Sequence, residues 1–357
     1  MNNQALVSVA VPTYNNAPFL KQALDSILSQ SYQNIEVVIS DNASTDNTPG
    51  IIKSIQDRRV KYFRNPQTVS FIENWNKAIK LASADYIAFY HSDDVYSARI
   101  VEKEMDFLNK HPLVGGVCTL GKLIDEAGRV ISDKISLPKE LEATNSCGLT
   151  ELLKLLMVKS GSFIFTPTFM ARREVFDTIG YFRDKGESGS QIDGGSDMDY
   201  FLRVSQRYQF GIIGEKLINK RVSQLNLTGQ YMTQRLSRSV HFVVIDDFLK
   251  LGAVSKNIPA GIQRQYDFNK FWDDCLIAVN LIRNKSYKHA RNRLRHAFSY
   301  KYIIPGISNL KNFTKVSLWI ALNSAGLIFP DKCFDFTARF IFGLLQKFAW
   351  NGGIVYQ

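Results

Sequence analysis

The sequence predicts an α/β domain, built on a mostly parallel sheet flanked by helices, followed by a helical carboxy-terminal region. Over roughly the first 90 residues, short runs rich in β-branched and aromatic residues alternate with helical stretches. After about residue 230 only helical patterns continue. The length of 357 residues, with 45% hydrophobic and 22% charged residues, excludes a disordered or fibrous chain.

Four strands are predicted in the first part of the chain, and a helix joins each strand to the next. The strands are predicted at residues 6–12, 35–40, 60–63 and 86–90. Asn16 and Pro18 begin the first helix, and Asp46 opens the second. Ser70 and Glu73 form a capping box for the third helix. This repeat gives parallel strands, and ligands of such sheets bind beyond the carboxyl ends of the strands.

Beyond residue 95 the predicted elements are more widely spaced. Helices are predicted near residues 99–109, 149–158, 172–179 and 197–208, and a strand near residues 113–119. Pro259, Pro305 and Pro330 predict breaks between the carboxy-terminal helices. No apolar run of about 18 residues is present, and the amino terminus leads directly into a strand, so we expect a protein that starts in the cytosol.

Charge divides the chain into two parts. Residues 1–229 hold 26 Lys and Arg and 26 Asp and Glu, whereas residues 230–357 hold 18 and 7, so the second part carries the whole net charge of +11. We therefore predict a domain at 1–229, with a nucleotide-binding part at 1–120 and an acceptor part at 121–229. A basic, aromatic-rich helical region is predicted at 230–357. The scattered cysteines indicate reduced packing residues: Cys118, Cys147, Cys275 and Cys333.

An acidic cluster, His91-Ser92-Asp93-Asp94, directly follows the fourth predicted strand. Two adjacent carboxylates at the end of a buried strand raise each other's pKa unless a cation compensates. Carboxylates and substrate phosphates together suit Mg²⁺ or Mn²⁺, and such an ion can neutralise a diphosphate leaving group. The alternative is a solvated turn that caps a helix.

Two further acidic clusters contain Asp41 and Asp197. Asp41 follows the second strand, where a carboxylate can accept an N–H of a pyrimidine base. Asp197 follows a glycine pair and opens a helix, where a carboxylate can act as a general base towards a hydroxyl. Helix capping is the alternative for both. Asp199 and Arg203 lie four residues apart, and we expect this pair to orient the helix.

Three motifs occur in a characteristic order: PTYNNAPFLKQALDSILSQSYQNIEVVISDNASTDNT, YIAFYHSDD and GGSDMDYFLR. Together they resemble the family 2 glycosyltransferases with the GT-A fold, over residues 5–230. The resemblance implies an inverting transferase that uses a nucleotide-sugar donor, usually UDP- or dTDP-linked, and a divalent cation, Mg²⁺ or Mn²⁺. It also implies that Pro12, Tyr14 and Asn15 surround the nucleotide and that Asp41 contacts its base.

The same resemblance places Asp93 as the metal and diphosphate ligand, with Ser92 beside it at the nucleotide, and Asp197 as the catalytic base. Two positions depart from the family pattern. His91 stands where an Asp-X-Asp motif has its first acid, and Ser223 stands where a metal-binding histidine is expected. His91, Asp94 and Arg203 are secondary candidates for the site.

Residues 283–301 carry basic side chains without one acid, interleaved with aromatic residues. The basic residues are Arg283, Lys285, Lys288, Arg291, Arg293, Arg295 and Lys301. Aromatic apolar segments follow at 316–329 and 334–350, too short or too interrupted to span a bilayer. The combination favours an anionic membrane surface over nucleic acid, so we expect no nucleic-acid partner. An ordinary helical cap with a basic face is the alternative.

The first functional interpretation is an enzyme that transfers one sugar to a hydroxyl of a glycan acceptor, lipid-linked if the basic region lies on a membrane. It would act in bacterial surface polysaccharide synthesis, such as that of a capsule or O-antigen, as a cytoplasmic protein peripheral on the inner face of the cytoplasmic membrane. A nucleotidyltransferase is disfavoured because no glycine-rich basic loop follows the first strand. A catalytically weak or inactive homologue that binds nucleotide or membrane is the alternative, because His91 and Ser223 depart from the family pattern.

Overall fold

The computed structural model describes residues 4–159, 161–223 and 236–297. The chain divides into two units, the first comprising residues 1–152 and 161–223 and the second residues 153–160 and 224–357. The predicted functional division at residue 229 stays a prediction. Several sequence predictions lie outside the described residues: the segments 316–329 and 334–350, Pro305, Pro330, Cys333 and Lys301.

The first unit contains a ten-stranded sheet. The strands are β1 (Val7–Thr13), β2 (Ile35–Asp41), β3 (Val60–Arg64), β4 (Tyr86–Phe89), β5 (Val95–Tyr96), β6 (Val114–Ile124), β7 (Val130–Ser132), β8 (Ser146–Cys147), β9 (Phe169–Arg172) and β10 (Gln209–Arg221). Their order is β3-β2-β1-β4-β9-β6-β10-β5, with β7 beside β6 and β8 beside β10. The first four strands along this path are parallel, as are β6 and β10, whereas β9 is antiparallel to both of its neighbours.

Helices connect and cover these strands. They are α1 (Ala17–Leu28), α2 (Thr48–Ser54), α3 (Phe71–Leu81), α4 (Ile100–Lys110), α5 (Leu149–Lys159), α6 (Arg173–Ile179) and α7 (Ser196–Ser205). Every residue of β1 and β2 is buried, because helices cover both faces of this part of the sheet, and both strands are therefore nearly continuous apolar runs. The predicted alternation of strands and helices, and with it the predicted α/β fold class, is confirmed.

The predicted helix starts are only partly as expected. Ser70 and Glu73 form the predicted capping box, with each side chain accepting a hydrogen bond from the other residue's backbone N–H. Asn16 precedes α1 as predicted, but its side chain does not cap the helix. Its amide Nδ2 donates instead to Ser92 Oγ, at 2.8 Å. The side chain therefore joins the start of α1 to the loop that follows β4.

The sequence did not predict strands β9 and β10. The strand β9 has four residues and begins directly after the 3₁₀ turn Thr166–Thr168, so it is too short for a periodic pattern. The strand β10 has 13 residues, but its pairing with β6 shifts register between Ile213 and Lys216 and again before Ile218. These irregularities interrupt the alternation of apolar and polar residues on which a strand prediction depends.

The second unit is helical in its described part. Its helices are α8 (Val240–Leu249), α9 (Gly252–Ser255), α10 (Ala260–Arg283) and α11 (Tyr287–Ala297). Pro259 immediately precedes α10, at a predicted break. Among the described residues, no helix combines the length and the apolar character required to cross a bilayer. Cys118, Cys147 and Cys275 are buried free thiols, in line with the packing role predicted for them.

Candidate active site

The carboxyl ends of the parallel strands bring the predicted acidic clusters to one edge of the sheet. Strand β1 pairs in parallel with both β2 and β4, so Asp41 at the end of β2 and the residues that follow β4 lie at the same edge. Phe89 at the end of β4 pairs with Phe169 at the start of the antiparallel strand β9. The turn Thr166–Thr168 therefore also lies at this edge, and it contacts Asp197 of α7.

The loops that follow β1 and β2 are fastened to each other through Asn15. Its backbone N–H donates to Ser44 Oγ at 2.9 Å, and its side-chain Oδ1 accepts the N–H of Thr45 at 2.8 Å. Asn15 and Ala43 adopt left-handed backbone conformations, with φ of 45° and 59°. Of the residues predicted to surround the nucleotide, Asn15 therefore also shapes the loop, whereas Tyr14 has a side chain that is 49% exposed.

Asp41 is fully buried and is bonded within the protein. One carboxylate oxygen accepts the N–H of Ser44 at 2.9 Å, and the other accepts the hydroxyl of Tyr62 at 2.8 Å and lies 3.3 Å from Nε of Arg64. Burial, together with the hydrogen bond to Asp41, raises the pKa of Tyr62 to about 12. The assignment of Asp41 to a nucleotide base stays a prediction. Pro12 lies buried in β1 beside Ser40 of β2.

The segment from His91 to Asp94 forms a tight turn beyond β4. One potential ligand atom from each of His91, Asp93 and Asp94 lies within 4.8 Å of the others. Burial, reinforced by the positive charge of Lys220, lowers the pKa of His91 to about 3, so its ring is neutral at neutral pH. Burial and the adjacent charge of Asp93 raise the pKa of Asp94 well above its usual range. Ser92 is buried and accepts the bond from the Asn16 amide.

Arg221 at the end of β10 holds this turn in place. Its side chain is 1% exposed, and its Nε donates to the backbone oxygen of Asp93 at 2.9 Å. Its backbone N–H donates to Oδ1 of Asp94 at 2.7 Å. Further guanidinium bonds run to the backbone oxygens of Asp125 and Glu126, both at 2.9 Å. The guanidinium bonds to three backbone oxygens fix this planar group in one orientation, so Arg221 holds the turn that bears the two carboxylates.

The turn fits a divalent cation. Among the described residues, its His91, Asp93 and Asp94 form a group of side chains placed closely enough to share one ion. His91 Nε2 is buried without a hydrogen-bond partner in that part of the chain. A nearby positive charge would also favour the ionised form of Asp94. The residues that would hold such an ion are Asp93, His91 and Asp94.

Asp197 stands in the first turn of α7, at the predicted helix start. Its Oδ2 accepts the hydroxyl of Thr166 at 2.6 Å, and its Oδ1 accepts the N–H of Met198 at 2.7 Å. The side chain is half-buried. Since each carboxylate oxygen has two lone pairs, these bonds leave capacity to accept a proton. The arrangement suits a general base that is held in one orientation.

An aromatic cluster connects the turn after β4 to α7. Trp75 of α3 lies 5.4 Å from the ring of His91 and 5.4 Å from that of Phe182, measured between ring centroids. Phe182 lies 4.6 Å from Tyr200 of α7. Trp75 is therefore a packing residue, and these contacts link the turn that bears Asp93 to the helix that bears Asp197.

Three arginines near the site have structural partners. Arg203 is buried, donates to Asp199 at 2.8 Å, and bonds the backbone oxygens of Ile179 and Tyr181. It thus orients α7, as expected for the pair. Arg172 and Arg173, which open α6, bond backbone oxygens of neighbouring elements.

Sequence reasoning missed Thr166 and the role of Arg221. Thr166 lies 31 residues from Asp197, and Arg221 lies 128 residues from Asp93. The Thr-Pro-Thr sequence at 166–168 was a turn signal, but nothing local in the sequence indicates which carboxylate its hydroxyl reaches.

The fold has a counterpart among solved structures. The mannosyltransferase PcManGT from Pyrobaculum calidifontis, in complex with GDP-Man and Mn²⁺, matches it with a TM-score of 0.52 at 17% identity. The match covers 98% of this chain and 89% of that chain. This likeness concerns the fold alone. It agrees with the predicted GT-A type fold.

The sequence comparison points to one family. Residues 8–180 match the model described as glycosyl transferase family 2, which supports a family 2 glycosyltransferase. The match includes Asp41 and Asp93, whereas Asp197 lies beyond its end.

Curated relatives agree with this assignment. An uncharacterized glycosyltransferase from Haemophilus influenzae is 39% identical over 114 residues, 31% of this chain and 46% of its own length. The putative glycosyltransferase EpsE from Bacillus subtilis is 37% identical over 131 residues, 36% of this chain and 47% of its own length. The Escherichia coli UDP-Glc:alpha-D-GlcNAc-diphosphoundecaprenol beta-1,3-glucosyltransferase WfaP is 36% identical over 103 residues, 29% of this chain and 41% of its own length. The chain thus spans less than half of the length of each.

Proposed function

We propose that this chain is an inverting glycosyltransferase that moves a sugar from a UDP- or dTDP-linked donor to a hydroxyl of a lipid-linked glycan acceptor. The observation that carries the proposal is the position of Asp197. Its carboxylate is fixed by Thr166 at the same sheet edge as the turn that bears Asp93. Transfer of a sugar from a diphosphate requires a base for the acceptor hydroxyl and a cation for the phosphates. Candidates for both lie at this edge of the sheet.

Asp197 supplies the acceptor side of the reaction. The carboxylate takes the proton of the acceptor hydroxyl as the new glycosidic bond forms, and attack from the face opposite the diphosphate inverts the anomeric centre. The diphosphate departs without being protonated by a second carboxylate, since it is already a good leaving group; glycoside hydrolysis, in contrast, needs a pair of carboxyl groups.

The turn after β4 supplies the donor side. Asp93, together with His91 and Asp94, would hold a divalent ion, Mg²⁺ or Mn²⁺, which neutralises the charge that develops on the departing diphosphate. Arg221 keeps the backbone of this turn in place. Tyr14, with its half-exposed ring at the end of β1, is well placed for the nucleotide.

The acceptor assignment draws on a relative and on charge. The name of the Escherichia coli relative describes transfer from UDP-Glc to a diphosphoundecaprenol-linked sugar. The basic region of this chain would suit an anionic membrane. Lys285, in the turn before α11, and Lys288, in α11, are exposed. Arg293 is instead paired with Asp274, at 3.0 Å. We therefore place the protein at the inner face of the cytoplasmic membrane, in surface polysaccharide synthesis.

Nucleotide release tests the activity. The full chain is incubated with Mn²⁺ and UDP- or dTDP-hexoses, and release of UDP or dTDP is measured with and without acceptor. Asp197→Asn should lower turnover by about 10²–10⁴-fold while donor binding, measured by calorimetry, is retained. Asp177→Asn removes an exposed carboxylate on the neighbouring helix α6 and should leave turnover unchanged. Equal, measurable turnover of wild type and Asp197→Asn would remove Asp197 as the base, whereas no turnover by wild type with any donor would favour a nucleotide-binding homologue instead.

Vesicle binding tests the location. Reversing Lys285 and Lys288 to Glu should lower partition into phosphatidylglycerol vesicles by at least about tenfold, at about 1 kcal/mol per basic residue. The matched control reverses Lys53 and Lys139, which are also exposed but lie in the first unit. Equal loss in both double variants would point to net charge alone, and no binding by wild type would remove the membrane from the proposal.

A further inference from the structure

The ring of His91 is held in place by its surroundings. Trp75 and Phe89 lie against it, each with its ring centroid 5.4 Å from that of the imidazole. The hydroxyl of Tyr96 accepts the backbone N–H of His91 at 2.7 Å and lies 3.1 Å from its backbone oxygen, to which it donates. These contacts restrict both the backbone and the ring, so the imidazole is positioned before any ligand arrives.

This positioned ring has an unsatisfied nitrogen. Nε2 of His91 is buried and has no hydrogen-bond partner among the described residues. Buried polar atoms without a partner are uncommon, and an unseen ion is one of the recognised causes. The nearest ligand-type groups are the carboxylates of Asp93 and Asp94, within 4.8 Å of a nitrogen of the ring.

The oxygen ligands of this group are limited. Asp94 is 1% exposed, and one of its oxygens is taken by the N–H of Arg221. Asp93 is the more exposed of the two carboxylates. A cation at the turn would therefore find few protein oxygens, and the imidazole nitrogen is the remaining donor of the cluster.

We propose that His91 binds the divalent ion directly through a ring nitrogen, and that the site consequently takes Mn²⁺ in preference to Mg²⁺. The inference rests on the proposed function only in that Asp93 holds a divalent ion. Mg²⁺ favours an all-oxygen shell in strict octahedral geometry, whereas imidazole is a suitable ligand for first-row transition ions. One nitrogen in place of an oxygen thus favours the transition ion.

Pulsed electron paramagnetic resonance of bound Mn²⁺ tests the ligand. The full chain is loaded with Mn²⁺ alone and with Mn²⁺ and UDP, and the echo decay is searched for the modulation caused by a directly bound ¹⁴N nucleus. Wild type should show it, and His91→Asp and His91→Gln should lose it. His111→Gln is the matched control, because His111 is the other described histidine of the first unit and packs on Phe107, away from the cluster. This variant should keep the modulation.

Affinity tests the selectivity. His91→Asp should lower the ratio of the Mg²⁺ to the Mn²⁺ dissociation constant by about tenfold, because it replaces the nitrogen donor with an oxygen donor. Asp93→Asn should lose Mn²⁺ binding. Thermal unfolding of each variant shows whether it folds, and the wild-type spectrum decides the question of the ligand without any variant.

The outcomes separate this inference from the proposed function. Bound Mn²⁺ without ¹⁴N modulation, or no Mn²⁺ binding with or without UDP, overturns the role of His91. A chain that turns over nucleotide sugars and lacks the modulation keeps the proposed function but not this inference. A chain that shows the modulation and releases no nucleotide keeps the inference and loses the proposed function. If His91 variants change UDP affinity in EDTA while wild type lacks the modulation, the ring contacts the nucleotide instead.

Discussion

The two ends of the parallel strands differ in how completely their buried polar groups are hydrogen-bonded. At the amino ends, Glu36 is 5% exposed and accepts bonds from the hydroxyl of Ser8, the ammonium of Lys61, and both the N–H and the hydroxyl of Ser83, the last two at 2.8 and 2.7 Å. Burial alone would raise the pKa of Glu36, but these bonds outweigh it and lower the pKa to about 2.

At the carboxyl ends the buried Asp41 is bonded within the protein, but other buried polar groups have no partner. Nε2 of His91 and Oγ1 of Thr13 are buried without a partner among the described residues. Burial and the adjacent charge of Asp93 raise the pKa of Asp94. The loops after β1 and β2 also carry left-handed residues, Asn15 and Ala43. No corresponding left-handed residue lies at the amino ends of β1 to β4, which are all within the described residues.

The contrast distinguishes a buried charge that stabilises the fold, such as that of Glu36, from groups that are candidates for binding a ligand. A carboxylate with a full set of donors stabilises the native state and has no need of a further partner. A buried ring nitrogen without a partner beside two adjacent carboxylates is typical of a site that is completed by a ligand. An open groove of about 590 Å³ does exist at the amino ends, but its Lys61 and Arg59 are already paired with Glu36 and Asp57.

The largest expected effect is the loss of the Glu36 carboxylate. Glu36→Gln should lower the free energy of unfolding at pH 7 by about 3 kcal/mol, because the ammonium and hydroxyl donors lose an ionised acceptor. Since the pKa of Glu36 is about 2 in the folded state and near 4.5 when unfolded, this stability is present above pH 4.5 and is lost as the pH falls towards 2. Urea unfolding between pH 7 and pH 2 measures both.

The matched control for Glu36 is Glu174→Gln, which changes an exposed carboxylate and should alter stability by less than about 0.5 kcal/mol. Donor binding should be unaffected in both variants. A Glu36→Gln protein of unchanged stability that no longer binds donor would move the functional site to the amino ends and would break the comparison.

The next effect concerns the orientation of Asp197. Thr166→Val keeps the shape of the side chain and removes the hydroxyl that donates to Asp197 at 2.6 Å. We expect turnover to fall about tenfold, the equivalent of one hydrogen bond to an ionised group, with donor affinity unchanged. Thr166→Ser, which retains the hydroxyl, should restore turnover; a Thr166→Ser enzyme as slow as Thr166→Val would mean that Thr166 only supports the local packing.

The sequence was sufficient for the elements whose signals are local. The alternation of β1 to β4 with helices follows from short apolar runs and from caps such as that of Ser70 with Glu73, which are three residues apart. The same logic places Asp41 and Asp93 at strand ends, so their common edge could be predicted from the parallel order.

The sequence was insufficient where a contact joins distant parts of the chain. The bond from Arg221 to Asp93 spans 128 residues, and it requires β10 to reach the turn after β4, although β10 has no regular strand pattern. The missing partner of His91 is likewise a property of the packed environment, since the sequence shows a histidine but not whether its nitrogen finds a donor or acceptor. The acidic residues that meet at this edge were thus predictable, whereas the side chains that hold them in place were not.

The smallest expected effect is a gain in the free energy of unfolding, opposite in sign to that of Glu36→Gln, from a change at the carboxyl ends. Asp94→Asn removes a buried charge beside Asp93 yet keeps the oxygen that accepts the N–H of Arg221 at 2.7 Å. Because the pKa of Asp94 is raised in the folded state, its ionisation costs stability above its ordinary pKa. In EDTA at pH 7 we therefore expect the variant to be about 1 kcal/mol more stable than wild type, measured by urea unfolding.

Asp177→Asn, an exposed control, should be neutral. Added Mn²⁺ should stabilise wild type more than Asp94→Asn, because a cation favours the paired carboxylates. A destabilisation as large as that of Glu36→Gln would mean that both ends hold their carboxylates for the fold alone.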